Sequence, residues 1–354
     1  SNFAVLASQK ATYDGVYAKS KAGGASDAVA AATAAGTVKT LKANGVNWGS
    51  PDEGVIVSRG GDRDARDGGQ WGGALRYLSE ELDTEFGAYF MNYHSRAPIF
   101  SATAAPAAKY TASSAFGPLA PLYIAGNSQY FIEYPEDIQL YGLSFSTTLP
   151  TGTAWSGEMS YRPNAPVQIN STDVLYGGVK LLGGAYANAS LLNGQKGADL
   201  HGYNRKEITQ FQTTFTHFFD QVMGASRLTL VGEVGVSHIG ALESTDEVRY
   251  GRDPIYGPGP LPATGGQNTC AVLNGAGKNQ TKFCEDDGFA TATSWGYRAR
   301  AIWEYPDVFA GVNLKPNVAW SHDVDGYGAN GVFNEGNKAV SLGLDAEYQN
   351  TYTA

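Results

Sequence analysis

Charge is scarce in this chain of 354 residues, where Asp, Glu, Lys and Arg together make up 17% against about a quarter in an ordinary soluble domain. What charge there is runs negative, at −9. That argues against a nucleic-acid partner, which would need a basic face to displace counterions from phosphates, and against polybasic docking on anionic lipid. No stretch reaches the roughly 18 to 20 apolar residues of a membrane-crossing helix. Ala28 to Gly36 is too short, and Ala115 to Gly126 is interrupted by Pro118 and Pro121, so helical membrane proteins are excluded. The opening Ser1-Asn2-Phe3 has neither the basic start nor the continuous apolar region of a secretory leader. Cysteine is limited to Cys270 and Cys284, too few for a zinc framework and suited to one disulfide in an oxidising compartment. Neither a Gly-x-Ser-x-Gly elbow nor a His-Glu-x-x-His pair occurs. No catalytic residue, cofactor or metal is therefore assigned, and the expectation is of a protein that is not an enzyme.

Glycine and aromatics are abundant instead, with 45 Gly, 21 Tyr, 15 Phe and 6 Trp, which excludes a disordered chain. Residues 1–45 are rich in Ala with interspersed Lys, and one or two short helices are expected there, forming a loop or hatch apart from residues 46–354. From about Gly72 the pattern changes to period two. In Trp155 to Arg162 one face reads Trp155, Gly157, Met159, Tyr161 and the other Ser156, Glu158, Ser160, Arg162. Leu228 to Ser237, Trp295 to Glu304 and Val340 to Tyr352 share that layout. Nine strands are expected, near 74–82, 84–94, 138–149, 153–163, 208–220, 226–239, 291–305, 310–322 and 338–353.

The fold class is thus all-β, and two architectures share this alternation. A soluble sandwich packs its apolar face inward, whereas a membrane barrel turns it outward. Many of these strands match the 9 to 11 residues a tilted strand needs to cross a bilayer. Aromatics also gather toward strand ends, as with Trp155 and Tyr161, Trp295 and Trp303, and Tyr348 and Tyr352. Both features favour an antiparallel transmembrane β-barrel. In it Glu158, Arg162, Glu233, Arg298, Arg300, Asp345 and Glu347 face the lumen, where they line a path, hold a plug or satisfy one another. Trp155, Leu230, Val234, Trp303, Leu342 and Leu344 face lipid.

Several strings resemble a family of Gram-negative outer-membrane proteins catalogued as a domain of unknown function. They are Gly60-Gly61-Asp62-Arg63-Asp64-Ala65-Arg66-Asp67-Gly68-Gly69-Gln70-Trp71-Gly72, the run Thr84 to Arg96, Tyr134-Pro135-Glu136-Asp137-Ile138, Ser160 to Pro166, and the stretch from Lys315 to Tyr352. The resemblance implies a cell-outer-membrane barrel similar to the long-chain fatty-acid transporters, with membrane lipid and lipopolysaccharide around it and uptake of apolar compounds as its role. Members of that family run further at both ends. Nine strands cannot close a single-chain bacterial barrel, which has an even number, so the given chain is expected to be part of a longer protein. The same transporters carry a strand kink that opens the wall sideways, for which Tyr134-Pro135 is the candidate against a plain strand start.

An apolar, Pro-rich stretch lies between two expected strands, and its Phe100, Phe116, Leu119, Leu122 and Tyr123 are candidate ligand contacts. It is either an exposed capture site for a greasy molecule or a segment buried against the barrel mouth or hatch. Asp62, Asp64 and Asp67 are either a calcium loop or ordinary solvated charge. Passive uptake of an apolar or amphipathic small molecule is the expected function. A structural or surface barrel without transport is the alternative, and an outer-membrane hydrolase using one of His94, His201, His217, His238 or His322 comes third.

Overall fold

The computed structural model describes residues 9–47, 57–252, 256–274, 280–348 and 352–353. The Ala-rich start folds as α1 (Gln9–Ala22) and α2 (Asp27–Ala43). Gly24 at φ 88° breaks the helix between them, where a left-handed residue costs glycine little. The Ser26 hydroxyl then accepts from the Val29 N–H to start α2. Only Ala30, Ala34 and Val38 of α2 are buried, a stripe every four residues.

The remainder is mostly strand, divided between two sheets. A four-stranded sheet has the order β1 (Ser58–Arg59), β5 (Gln129–Glu133), β4 (Ile99–Thr103), β8 (Asp199–Leu200). A ten-stranded antiparallel sheet, here the wall, runs β2 (Trp71–Ser79), β3 (Thr84–Tyr93), β6 (Ile138–Thr148), β7 (Ala154–Gln168), β9 (Tyr203–Asp220), β10 (Arg227–Ile239), β11 (Thr293–Phe309), β12 (Val312–Asp325), β13 (Lys338–Tyr348), β14 (Tyr352–Thr353). Each wall strand pairs with the wall strand before and after it in the chain. The described sheet is not closed: β2 and β14 are its two edges. Among the described residues no helix is long and apolar enough to cross a membrane.

The connections divide by end. At one end, the turn end, the strands are joined by residues 80–83, 149–153, 221–226 and 310–311. At the other, the cap end, residues 94–137, 169–202, 240–292 and 326–337 intervene. The small sheet, α3 (Ala107–Ala112), α4 (Ala120–Gly126), α5 (Ser171–Lys180), α6 (Thr269–Asn274) and α7 (Gln280–Phe283) all belong to this cap end. Two proline sites bend the wall. Register shifts occur across Pro163 in β7 and around Pro306 in β11, because proline cannot donate to the ladder. Tyr134-Pro135 lies between β5 and β6, so it marks a strand boundary and not a kink within the wall.

Register assigns every wall residue to a face, since residues directly opposite in a ladder point the same way. One face carries Leu75, Ala88, Leu143, Met159, Phe211 and Val236 in a single cross-strand row. Farther along the same face stand Leu230, Ala301, Val318 and Leu342. Much of it is exposed: Leu342 is 80% accessible and Leu75 71%. The opposite face is polar over most of its length.

Candidate functional site: the polar face of the wall and its cap

The apolar face is banded. Toward the cap end Trp71, Phe90, Tyr141 and Tyr161 form a chain of rings across four strands, with centroids 4.9, 4.9 and 6.5 Å apart. Toward the turn end Phe145, Trp155 and Phe215 do the same at 4.7 and 5.8 Å. Gly157 makes the second band possible, because a Cβ there would sit 2.5 Å from the Phe145 ring. Between the bands lie Leu75, Ala88, Leu143 and Met159; Leu230, Val234 and Leu342 continue the apolar face on β10 and β13. On β11 Trp295 and Trp303, both on this face, are eight positions apart, about 26 Å at the usual strand rise.

The seven charged residues expected in the lumen, Glu158, Arg162, Glu233, Arg298, Arg300, Asp345 and Glu347, all fall on the polar face. Trp155, Leu230, Val234, Trp303, Leu342 and Leu344 fall on the apolar one. Several of the charged groups are engaged. Arg298 Nη2 donates to Asp323 Oδ1 at 2.6 Å, Glu233 accepts from the Thr214 hydroxyl at 3.3 Å, and Arg162 donates to Gln210. Lys315 lies 3.7 Å from Glu347, while Asn317 donates to Asp345 at 3.3 Å. Two hollows lie along this face. A groove of about 280 Å³ surrounds Glu233, Arg298 and Arg300. A pocket of about 120 Å³ is lined by Glu158, Ser160, Gln210 and Gln212.

Val332 and Phe333 close that second pocket. They belong to residues 326–337, which fold inward across the polar face as a strap. Its near end is tied by Asp323, whose Oδ2 accepts from Asn334 N at 3.1 Å. Its far end reaches β7, where Asn330 bonds Gln168 N and Pro166 O, both at 3.3 Å. The Phe333 ring rests on Gly235, 3.2 Å from where a Cβ would stand.

At the cap end the polar face turns apolar. Ala165, Val167, Ile208 and Ile239 sit there, buried with Ala102 of β4, Val174 of α5, Tyr250, Ala290 and Ala329 in one core. The cap thus covers this face at one end. A second core holds the cap itself together through Tyr110, Leu122, Tyr123, Ile124, Tyr176 and Val179. Burial pushes the Tyr110 phenol up to about 12, so it stays a donor to Gly178 O at 2.7 Å. The five candidate contacts are placed by these cores. Leu122 and Tyr123 are buried in α4, Phe116 and Leu119 pack against them, and Phe100 packs on the core under the wall. The stretch is therefore cap interior and not an exposed capture patch. The alternation-free run Ala120-Pro121-Leu122-Tyr123-Ile124 folds as a helix enclosed by α2, α5 and residues 113–119, which removes it from water.

Polar clasps fasten the cap. Arg249 and Asp173, 76 residues apart and 0% and 1% exposed, meet at 2.7 and 2.9 Å. Lys206 Nζ donates to Ala241 O and Glu243, and Glu243 also accepts from the Tyr250 hydroxyl. Burial pushes the Glu243 carboxyl up, but these bonds outweigh it and leave the group below the usual carboxylate range. Cys270 and Cys284 form a disulfide, whose intervening Gly275 to Asn279 lies outside the described residues.

The Asp62 loop is tied down by arginines. Asp62 pairs with Arg59 at 2.5 Å, Arg63 with Asp199 at 2.8 Å, and Arg66 with Glu136 and Asp137. The Arg66 guanidinium holds Asp137 below the usual carboxylate range, and the Arg63 guanidinium does so for Asp199. No group of three His, Cys, Asp or Glu side chains that could hold a metal occurs among the described residues.

The histidines are dispersed. His94 accepts the Asp137 N–H through Nδ1 and meets Gly68 O through Nε2. His217, His238 and His322 lie on the apolar face. His201 comes within 2.8 Å of Glu133, to which the buried Ser101 hydroxyl also donates. The Ser101 hydroxyl thus bonds the carboxylate and not the imidazole, and Glu133 joins the two side chains.

Neither the curated proteins nor the solved structures contain a match to this chain. A family profile described as a protein of unknown function (DUF1302) matches residues 10–354, nearly the whole sequence, and the chain belongs to that family.

Proposed function

We propose that the protein is an outer-membrane β-barrel that admits apolar or amphipathic small molecules by passive movement through the interior of the wall. The apolar face would meet lipid, and the two aromatic bands would sit at the two interfaces. Short turns at one end and long insertions at the other match the periplasmic and external ends of such barrels. In this reading further strands join β2 and β14, and lipopolysaccharide surrounds the cap.

The observation that carries the choice of solute is the mouth. Where the polar face reaches the cap end it becomes a packed apolar core, so a hydrophilic solute would meet an obstacle at the point where a general-diffusion pore is open. An apolar solute gains free energy by leaving water for such a surface. A wall that only supports the membrane is the second reading, favoured by the ion pairs and hydrogen bonds that satisfy much of the polar face.

Extraction tests the membrane assignment: the intact protein should require detergent and show a heat-modifiable band, and clean solubility in buffer would refute it. Uptake tests the role. A deletion strain should lose growth on at least one long-chain or cyclic apolar carbon source and regain it on complementation. Unchanged growth on all of them, with no ligand bound by the purified protein, would defeat the proposal.

A further inference from the structure

β11 places Arg298 and Arg300 on successive positions of the polar face, about 7 Å apart at the usual strand rise. Arg298 is compensated by Asp323. Arg300 is not: its Nη2 donates to Asn317 Oδ1 at 3.2 Å, and it pairs with no described carboxylate. Glu233, directly across from Arg298, accepts from Thr214. Two like charges side by side repel, and one of them here lacks a counter-charge. Around it lies the groove of about 280 Å³. The methyl groups of Val231, Ala319 and Ala339 line it beside the hydroxyls of Ser321 and Ser341, which bond no other described group.

We propose that this groove binds an organic anion, a single carboxylate carried on a compact apolar body. The inference rests on the reading of the polar face as the interior of a passage. A planar guanidinium with two open hydroxyls beside it matches a carboxylate in charge and in donor geometry. Glu233 at the rim disfavours a doubly charged anion. The apolar lining takes the body of the ligand, and the space exceeds the roughly 150 Å³ in which a dry apolar cavity holds benzene.

Equilibrium dialysis of the full chain in non-ionic detergent against benzoate, benzyl alcohol and benzylammonium at neutral pH tests the site. Benzoate should be retained at least ten-fold more strongly than the other two. Arg300→Gln should bring benzoate down to the level of benzyl alcohol, Arg300→Lys should keep part of the preference, and Arg76→Gln, on the same face but outside the groove, should change nothing. A heat-modifiable band confirms that each variant is folded. Equal retention of benzoate and benzyl alcohol by the wild type, or an undiminished preference in Arg300→Gln, would overturn the anion site. Either result, together with lost growth of the deletion strain on an apolar carbon source, leaves the wider reading standing, whereas unchanged growth of the deletion strain on all such sources, with no ligand bound by the purified protein, refutes that reading separately.

Discussion

Removing one member of the Arg249–Asp173 pair gives the sharpest test of how the cap is held. Arg249 is fully enclosed, and its Nε and Nη2 meet the two Asp173 oxygens at 2.9 and 2.7 Å. Its Nη1 donates to Pro260 O at 2.6 Å, and its guanidinium stacks 5.3 Å over Phe289. Arg249→Ala would leave the 1% exposed Asp173 carboxylate without its cation. Stranding one charge of a buried pair costs about 3 to 5 kcal/mol, or roughly two to three and a half powers of ten in the opening equilibrium. Because the pair joins α5 to the 240–292 insertion, the cost falls on the cap. Hydrogen exchange should accelerate by about that factor in 169–202 and 240–292 while β9 to β12 keep their protection. The double variant Arg249→Met with Asp173→Leu removes both charges and should recover most of the loss. Wild-type exchange in Arg249→Ala, or a double variant as open as the single one, would refute the reasoning.

Other outcomes follow from the same geometry. Serine at Cys270 and Cys284 should lower the stability of the 256–289 region by roughly 3 kcal/mol, the entropy of closing a loop of this size, and the unreduced, unfolded wild type should titrate no free thiol. Leu342→Arg on the apolar face should cost about 2 to 4 kcal/mol in a bilayer and Glu158→Gln little; aqueous labelling of a cysteine at 342 would reverse the assignment of faces. Asp137 and Asp199 lie below the usual range because Arg66 and Arg63 stabilise their charged forms. Their contribution should hold above the unfolded value of about 3.9 and vanish as pH falls through the lower folded values. The opening free energy of 59–70, taken from exchange rates corrected for their intrinsic pH dependence, should therefore be flat from pH 8 to 5 and fall below about 4, with Arg66→Gln removing part of that fall.

The wall was legible in the sequence and the cap was not. All nine expected segments overlap wall strands, β2, β3, β6, β7 and β9 to β13, because a sheet with one apolar and one polar face writes its period directly into the chain. The polar-face residues were legible for the same reason. β4 and β5 have no such signature, since Ile99, Ser101, Ala102, Phe131 and Glu133 are buried together and burial on both sides erases alternation. α5 is masked by Gly177 and Gly178, which lower helix propensity. Its start depends on the Asn170 side chain accepting from Thr172 and Asp173 N–H. Arg249 and Asp173 are remote in sequence, and no local pattern links them. The apolar stretch around Leu122 was visible as apolar, but period and composition carry no information about which surface covers it.

The two sheets differ in how far apart in the chain their partners lie. Wall strands joined by the short turns pair as local hairpins, the fast kind, whereas β3 with β6, β7 with β9 and β10 with β11 pair across the long insertions. The small sheet combines a nearer pairing with a distant one: β4 at 99–103 meets β5 at 129–133 and also β8 at 199–200, on the far side of the β6–β7 hairpin. The core that joins cap to wall takes Ala102 from the first insertion, Val174 from the second, Tyr250 and Ala290 from the third and Ala329 from the fourth. It is complete only when all four insertions are in place, so its integrity reports on the chain from 102 to 329 as a whole.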